Sequence, residues 1–188
     1  RHIPIHLISG EENRLLAMHR GARSFHLKPL KSETLAALFK DIVQYNSISQ
    51  KRLLIVEDNE LDSSQVAKIL DNGDLLNIEI VDSGLKAIEL IRENQYDCVI
   101  FDYMLPDTVG IDLVTEISAI RKTQMTPVLI YSAKDFSTKE KTLLKQYSNR
   151  ILLKDVNSLD LLLEEAVLML HIDHKALLPA KRKLIENL

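Results

Sequence analysis

The chain has 188 residues and a net charge of −3, with 46% apolar and 27% charged residues. That balance suits a globular domain with a sizeable core and offers no basic footprint for nucleic acid or a lipid surface. The single Cys98 excludes an internal disulfide and favours a reducing, cytoplasmic setting; with no run of about 18 apolar residues and no signal-peptide pattern, a soluble chain without membrane contact is expected.

Residues 3 to 8 (Ile-Pro-Ile-His-Leu-Ile) read as a short strand ending at Ser9-Gly10. A helix over 11 to 20 follows, then a strand over 24 to 28 stopped by Pro29. Ser32-Glu33-Thr34 opens a helix that runs to Tyr45, and residues 46 to 51 read as a polar linker. The sequence starts at Arg1 rather than Met, and a longer parent chain is expected.

A new unit begins at residue 52. Leu53-Leu54-Ile55-Val56 is a continuous apolar run, suited to a strand buried on both faces. Asn59 or Asp62 caps the next helix, where Val66, Ile69 and Leu70 recur at helical spacing before Asp71-Asn72-Gly73 stops it. Residues 78 to 81 form a strand, and Ser83-Gly84 opens a helix carrying Ala87, Ile88 and Ile91. A strand over 97 to 101 leads to a loop over 106 to 110, and Leu113, Val114, Ile117 and Ile120 mark one helix face. Strands over 127 to 131 and 151 to 153 flank a helix over 135 to 147, and 159 to 170 is a last apolar helix. This alternation predicts an α/β fold with a parallel sheet covered on both faces. Five such units predict a doubly wound, flavodoxin-like sheet with its functional crevice at the carboxyl ends of the strands. Periodicity leaves the strand order open.

Those strand ends carry unusual chemistry. The first ends in Glu57-Asp58, the third in Asp102, the fourth in Ser132 and the fifth in Lys154. In a parallel sheet they share one rim, where clustered carboxylates would repel one another. A hard divalent cation such as Mg²⁺, which prefers oxygen ligands, would relieve that conflict. Metal, hydroxyl and ammonium around one carboxylate make a phosphoryl-transfer site. Each residue alone has an ordinary reading: a solvated acid, a helix cap, a surface charge. Their joint occurrence, in order, carries the inference.

Leu-Leu-Ile-Val-Glu57-Asp58-Asn, Val-Ile-Phe-Asp102-Tyr-Met-Leu-Pro106-Asp-Thr-Val-Gly110, Tyr-Ser132-Ala133-Lys and Leu-Leu-Lys154 resemble the receiver domains of two-component signalling across residues 52 to 171. The resemblance implies a five-stranded sheet of order 2-1-3-4-5 and Asp102 as phosphoacceptor. It implies Mg²⁺ held by Asp58, Asp102 and the backbone carbonyl of Met104, with Glu57 assisting through water. Ser132 would contact a phosphate oxygen and shift on phosphorylation, Lys154 would pair with the phosphate, and the small Ala133 would leave room for it. The donor would be a phosphohistidine on a histidine kinase or phosphotransfer domain. The face over 135 to 170 would serve a homodimer. Two positions depart from the family: Lys154 is followed by Asp155-Val156 rather than Pro, and Ile151 stands where Tyr or Phe is usual.

Residues 1 to 45 resemble the C-terminal half of another receiver, through Ile8-Ser9-Gly10, Phe25-His26-Leu27-Lys28-Pro29 and the helix from Ser32. That half would be completed by other residues, or would pack on the neighbouring receiver. Residues 172 to 188, including Leu178-Pro179 and the basic 181 to 183 stretch, read as a linker helix towards a further domain. With Lys154-Asp155-Val156 and Leu170-His171, the tail resembles tandem-receiver segments of large hybrid histidine kinases. His171 and His174 lack the acidic or Cys companions of a metal site. No Gly-rich nucleotide loop is present, so the segment has no kinase core of its own. Two other functions stay open: an aspartate-nucleophile phosphohydrolase, which would want an acid where Met104 stands, and a pseudo-receiver that docks proteins without accepting phosphate.

Overall fold

The computed structural model describes residues 5–20, 22–47, 50–120, 126–156 and 158–186. Residues 3, 4, 48, 49, 187 and 188 of the expected first strand, linker and tail helix lie outside the described residues. Strand β1 (His6–Ser9) pairs in parallel with β2 (Ser24–Leu27), with α1 (Arg14–His19) between them and α2 (Ser32–Ser47) after them. Phe25 is buried against Ala17 and Met18. The Arg23 guanidinium donates to both Asp41 oxygens at 3.1 Å, fastening β2 to α2. Leu16, Leu27, Phe39 and Val43 remain exposed, so this unit leaves apolar surface in water.

Residues from Lys51 build the larger unit. Its elements are β3 (Lys51–Val56), α3 (Glu60–Leu70), β4 (Leu76–Val81), α4 (Gly84–Glu93), β5 (Cys98–Phe101), α5 (Gly110–Ile120), β6 (Val128–Ser132), α6 (Thr138–Leu144), β7 (Arg150–Leu153) and α7 (Ser158–Met169). The five strands pair in parallel in the order β4-β3-β5-β6-β7, which is the expected 2-1-3-4-5.

Alternation along β3 explains the two layers. Leu53 and Ile55 point into a core shared with α3 and α7, while Leu54 and Val56 point into one shared with α4 and α5. A strand buried on both faces has no place for a polar residue, hence the unbroken apolar run. Asn59, not Asp62, caps α3: its side chain accepts from the N–H groups of Leu61 and Asp62. Cys98 is wholly buried, and burial pushes its thiol pKa up, in keeping with a small core residue.

After α7 the chain makes a short 3₁₀ turn and forms α8 (Pro179–Glu186). This tail is bound to the domain. Asn72 donates to the Ala176 carbonyl at 3.3 Å and accepts from the Leu178 N–H at 3.0 Å, while Leu177 joins the α3–α7 core. Among the described residues no helix is long and apolar enough to cross a membrane.

Gly110 opens α5 hard against the ring of Tyr103, where a Cβ would overlap the ring Cδ2. Gly110→Ala is therefore expected to cost about 1–3 kcal/mol through forced displacement of that ring. Urea unfolding measures it, and an unchanged midpoint would show that the ring yields freely.

Candidate functional site

Backbone hydrogen bonds carry the sheet ladder slightly past the strand ends and so fix the rim. The Glu57 N–H donates to the Val81 carbonyl and the Asp102 N–H to that of Val56, both at 2.9 Å. The Lys154 N–H donates to the Ser132 carbonyl, also at 2.9 Å. Four side chains distant in sequence thus leave the sheet side by side.

The Lys154 ammonium sits at their centre. Its Nζ donates to Glu57 Oε2 at 2.7 Å, to Asp102 Oδ2 at 2.8 Å and to Asp62 Oδ2 at 2.8 Å. On its other oxygen, Asp102 accepts from Ser132 Oγ at 2.5 Å and from the Met104 N–H at 2.9 Å. Glu57, Asp102 and Ser132 are all buried. The structure therefore brings together Glu57, Asp102, Ser132 and Lys154. Asp58 is exposed, on the wall of a shallow hollow that also includes Tyr103, Met104, Pro106 and Lys134.

Burial raises the pKa of both buried carboxylates, yet they shift in opposite directions. Against burial, Asp102 has hydrogen bonds from Lys154, Ser132 and the Met104 N–H, and these hold its carboxyl below the ordinary value. Burial prevails at Glu57 and its pKa rises, because besides sharing Lys154 it accepts, among the described residues, a single long 3.3 Å bond from the Asn59 N–H. Lys154 is held above its usual range, because its three carboxylate partners outweigh its own burial.

Stability follows from these directions. The depressed Asp102 contributes stability that is present above its ordinary value of 3.8 and lost as pH falls through its folded pKa. The raised Glu57 does the reverse: its contribution is present below 4.5 and lost as pH rises through its folded pKa. Ionised Glu57 thus opposes folding near neutrality. Glu57→Gln is expected to raise the thermal midpoint at pH 7 and to lose that advantage at pH 3. A lower midpoint at pH 7 would contradict this reading of the site.

Among the described residues, no three His, Cys, Asp or Glu side chains are gathered closely enough to hold a metal ion. The His174 side chain lies outside the described residues. The donor chemistry of the rim nevertheless fits a hard cation. Three carboxylates face a single ammonium, Glu57 is left under-compensated, and Asp58 and Met104 line the adjoining hollow.

Three residues of this region were not singled out for these roles by sequence reasoning. Asp62 is the third partner of Lys154; its one signal is its place in the first turn of α3. Asp107 anchors the loop that follows Asp102, accepting from Ser83 Oγ at 2.7 Å and from the N–H groups of Gly84 and Leu85 at 3.0 Å, at the start of α4. Tyr131 lies behind Lys154, whose Nζ is 5.6 Å from the ring centroid, and its hydroxyl is 2.7 Å from Ser158 Oγ. Ser158 Oγ in turn accepts from the Asp155 N–H at 3.0 Å. A proline after Lys154 could not make that bond. The departure at Asp155 thus has a local reason: it joins the lysine loop to the first turn of α7.

The family model described as the response regulator receiver domain matches residues 53–165, and the chain belongs to that family. The two-component response regulator ORR5 of Oryza sativa subsp. japonica is 29% identical over 109 residues, 57% of this chain and 81% of its own length. The receiver domain of Francisella response regulator 1452 is 25% identical, with a TM-score of 0.56, covering 64% of this chain and 97% of that one. The Mn²⁺-bound form of response regulator Rcp1 shares the fold at 19% identity and a TM-score of 0.58, over 65% of this chain and 96% of that one.

Proposed function

We propose that residues 52 to 171 form a phosphoryl-accepting module of a two-component phosphorelay, with Asp102 as the nucleophile. The observation that carries this reading is the convergence of Lys154 Nζ and Ser132 Oγ on the two oxygens of Asp102. A carboxylate oxygen of Asp102 attacks the phosphorus of a phosphohistidine. A P–O bond forms as the P–N bond breaks, and the electron pair leaves with the imidazole. Lys154 and Ser132 stand where charge gathers on the phosphoryl oxygens. The depressed pKa of Asp102 keeps it ionised and nucleophilic at neutral pH. Mg²⁺, held by Asp58, Asp102 and the Met104 carbonyl with Glu57 assisting through water, would supply charge neutralisation at those oxygens.

The wider context belongs to the same proposal. Residues 1 to 45 are the C-terminal half of a second receiver-like domain, joined by the stretch between α2 and β3 rather than by the whole of 46 to 51, and 172 to 188 lead towards a further domain. The parent chain is a cytoplasmic hybrid histidine kinase, and the donor histidine lies in that chain or in a phosphotransfer domain. The α6–β7–α7 face serves a homodimer.

Intact mass after incubation with acetyl phosphate and Mg²⁺ tests the reaction. One added phosphoryl group is expected. No adduct would favour a docking pseudo-receiver, a reading supported by Ile151 and Asp155, and steady phosphate release from a generic monoester would favour a hydrolase.

A further inference from the structure

An ammonium has three N–H donors and no more. In Lys154 all three are taken, by Glu57, Asp62 and Asp102, at 2.7 to 2.8 Å. A phosphoryl group on Asp102 turns its carboxylate into an acyl phosphate, about one charge more negative, whose oxygens draw on this lysine. More anionic charge then competes for the same three donors. Asp102 carries the phosphoryl group itself and stays within reach of the lysine, and Glu57, with 5% of its side chain exposed, cannot withdraw into solvent. Asp62 is different. Its side chain is 37% exposed and stands on the first turn of α3, from which rotation into water costs little.

We infer that Asp62 is a displaceable counter-anion on Lys154, which holds the lysine in the resting site and competes with the phosphoryl group for it. The inference rests on the phosphoacceptor reading above and adds a regulatory residue to it. Two effects act in the same direction. Asp62 occupies one of the three donors open to the phosphoryl oxygens, and its charge repels an incoming anion across a few ångströms. Asp62 thereby sets how readily the site loads, and for how long it stays loaded.

The equilibrium affinity for beryllofluoride, a phosphoryl mimic, tests this directly in the presence of Mg²⁺. Asp62→Asn keeps an oxygen acceptor for Lys154 but removes the charge, and it is expected to bind the mimic roughly five- to tenfold more tightly than the parent chain. Asp62→Ala, which also removes the acceptor, should gain at least as much. The steady-state phosphorylated fraction with acetyl phosphate should rise in parallel. Glu60→Gln removes an exposed charge from the same helical turn and has no bond to Lys154, so it should leave the affinity near that of the parent. Unchanged or weaker binding in both Asp62 variants would overturn the proposal and make Asp62 a positioning residue for the lysine. An equal gain in Glu60→Gln would also overturn it, in favour of a general field effect. If the parent chain neither binds beryllofluoride nor gains a phosphoryl group, the phosphoacceptor reading fails together with this one.

Discussion

Lys154→Ala is expected to slow phosphoryl acceptance about a hundredfold, the usual cost of removing one preorganised charge stabiliser from a transition state. The same change strips the counter-charge from Glu57, Asp62 and Asp102, which then face one another at the rim. Breaking a fully buried ion pair typically costs 3–5 kcal/mol. Here Asp62 reaches solvent, so a loss of about 2 kcal/mol at pH 7 is expected. Protonating the carboxylates removes their repulsion, and the difference should shrink towards pH 3. Lys154→Met retains most of the stem volume and separates packing from charge: it should lose the rate and show the same pH trend. Intact-mass kinetics with acetyl phosphate, and urea midpoints at both pH values, report the two effects. A variant that accepts phosphoryl at the parent rate would remove Lys154 from the chemistry.

Phe101→Ala is expected to carry the largest stability cost, about 4 kcal/mol from lost burial and the cavity left behind. Phe101 is wholly buried at the end of β5, paired in register with Val56 and Ile130, and packs in the α4–α5 core. Against a typical domain stability of about 5–15 kcal/mol, that leaves little margin. Asp102 follows directly, so the anchor of the proposed nucleophile and the anchor of the core are adjacent residues. Urea unfolding measures the cost, and a loss below about 1 kcal/mol would mean that the sheet collapses around the gap.

How much the sequence discloses depends on how local the cause is. The runs at 53 to 56 and 98 to 101 announce buried strands, because a strand covered on both faces admits no polar alternation. The strand-end residues Glu57, Asp102, Ser132 and Lys154 could be picked out because a parallel sheet forces such ends onto one rim. Periodicity carries no information on which strand lies beside which, and the order came through family resemblance alone. Asp62 illustrates another limit. Its bond to Lys154 spans 92 residues of sequence and depends on the rotational phase of α3 over the sheet, which no local pattern encodes. The caps separate in the same way. Asn59 acts on its own helix and was among the readable candidates, whereas Asp107 acts at the start of α4, 22 to 24 residues away. Tyr131 was legible only as a strand residue; its link to Ser158 and the Asp155 loop exists because α7 begins directly behind β6.

In the proposed reaction a single carboxylate, at the end of β5, takes the phosphoryl group because the rim delivers an ammonium and a hydroxyl to it. Borohydride reduces an aspartyl phosphate to homoserine, so peptide mapping after phosphorylation and reduction identifies the residue that was loaded. Homoserine is expected at position 102 and nowhere else, and none in Asp102→Asn. Homoserine at position 58 or 62, or its persistence in Asp102→Asn, would contradict it.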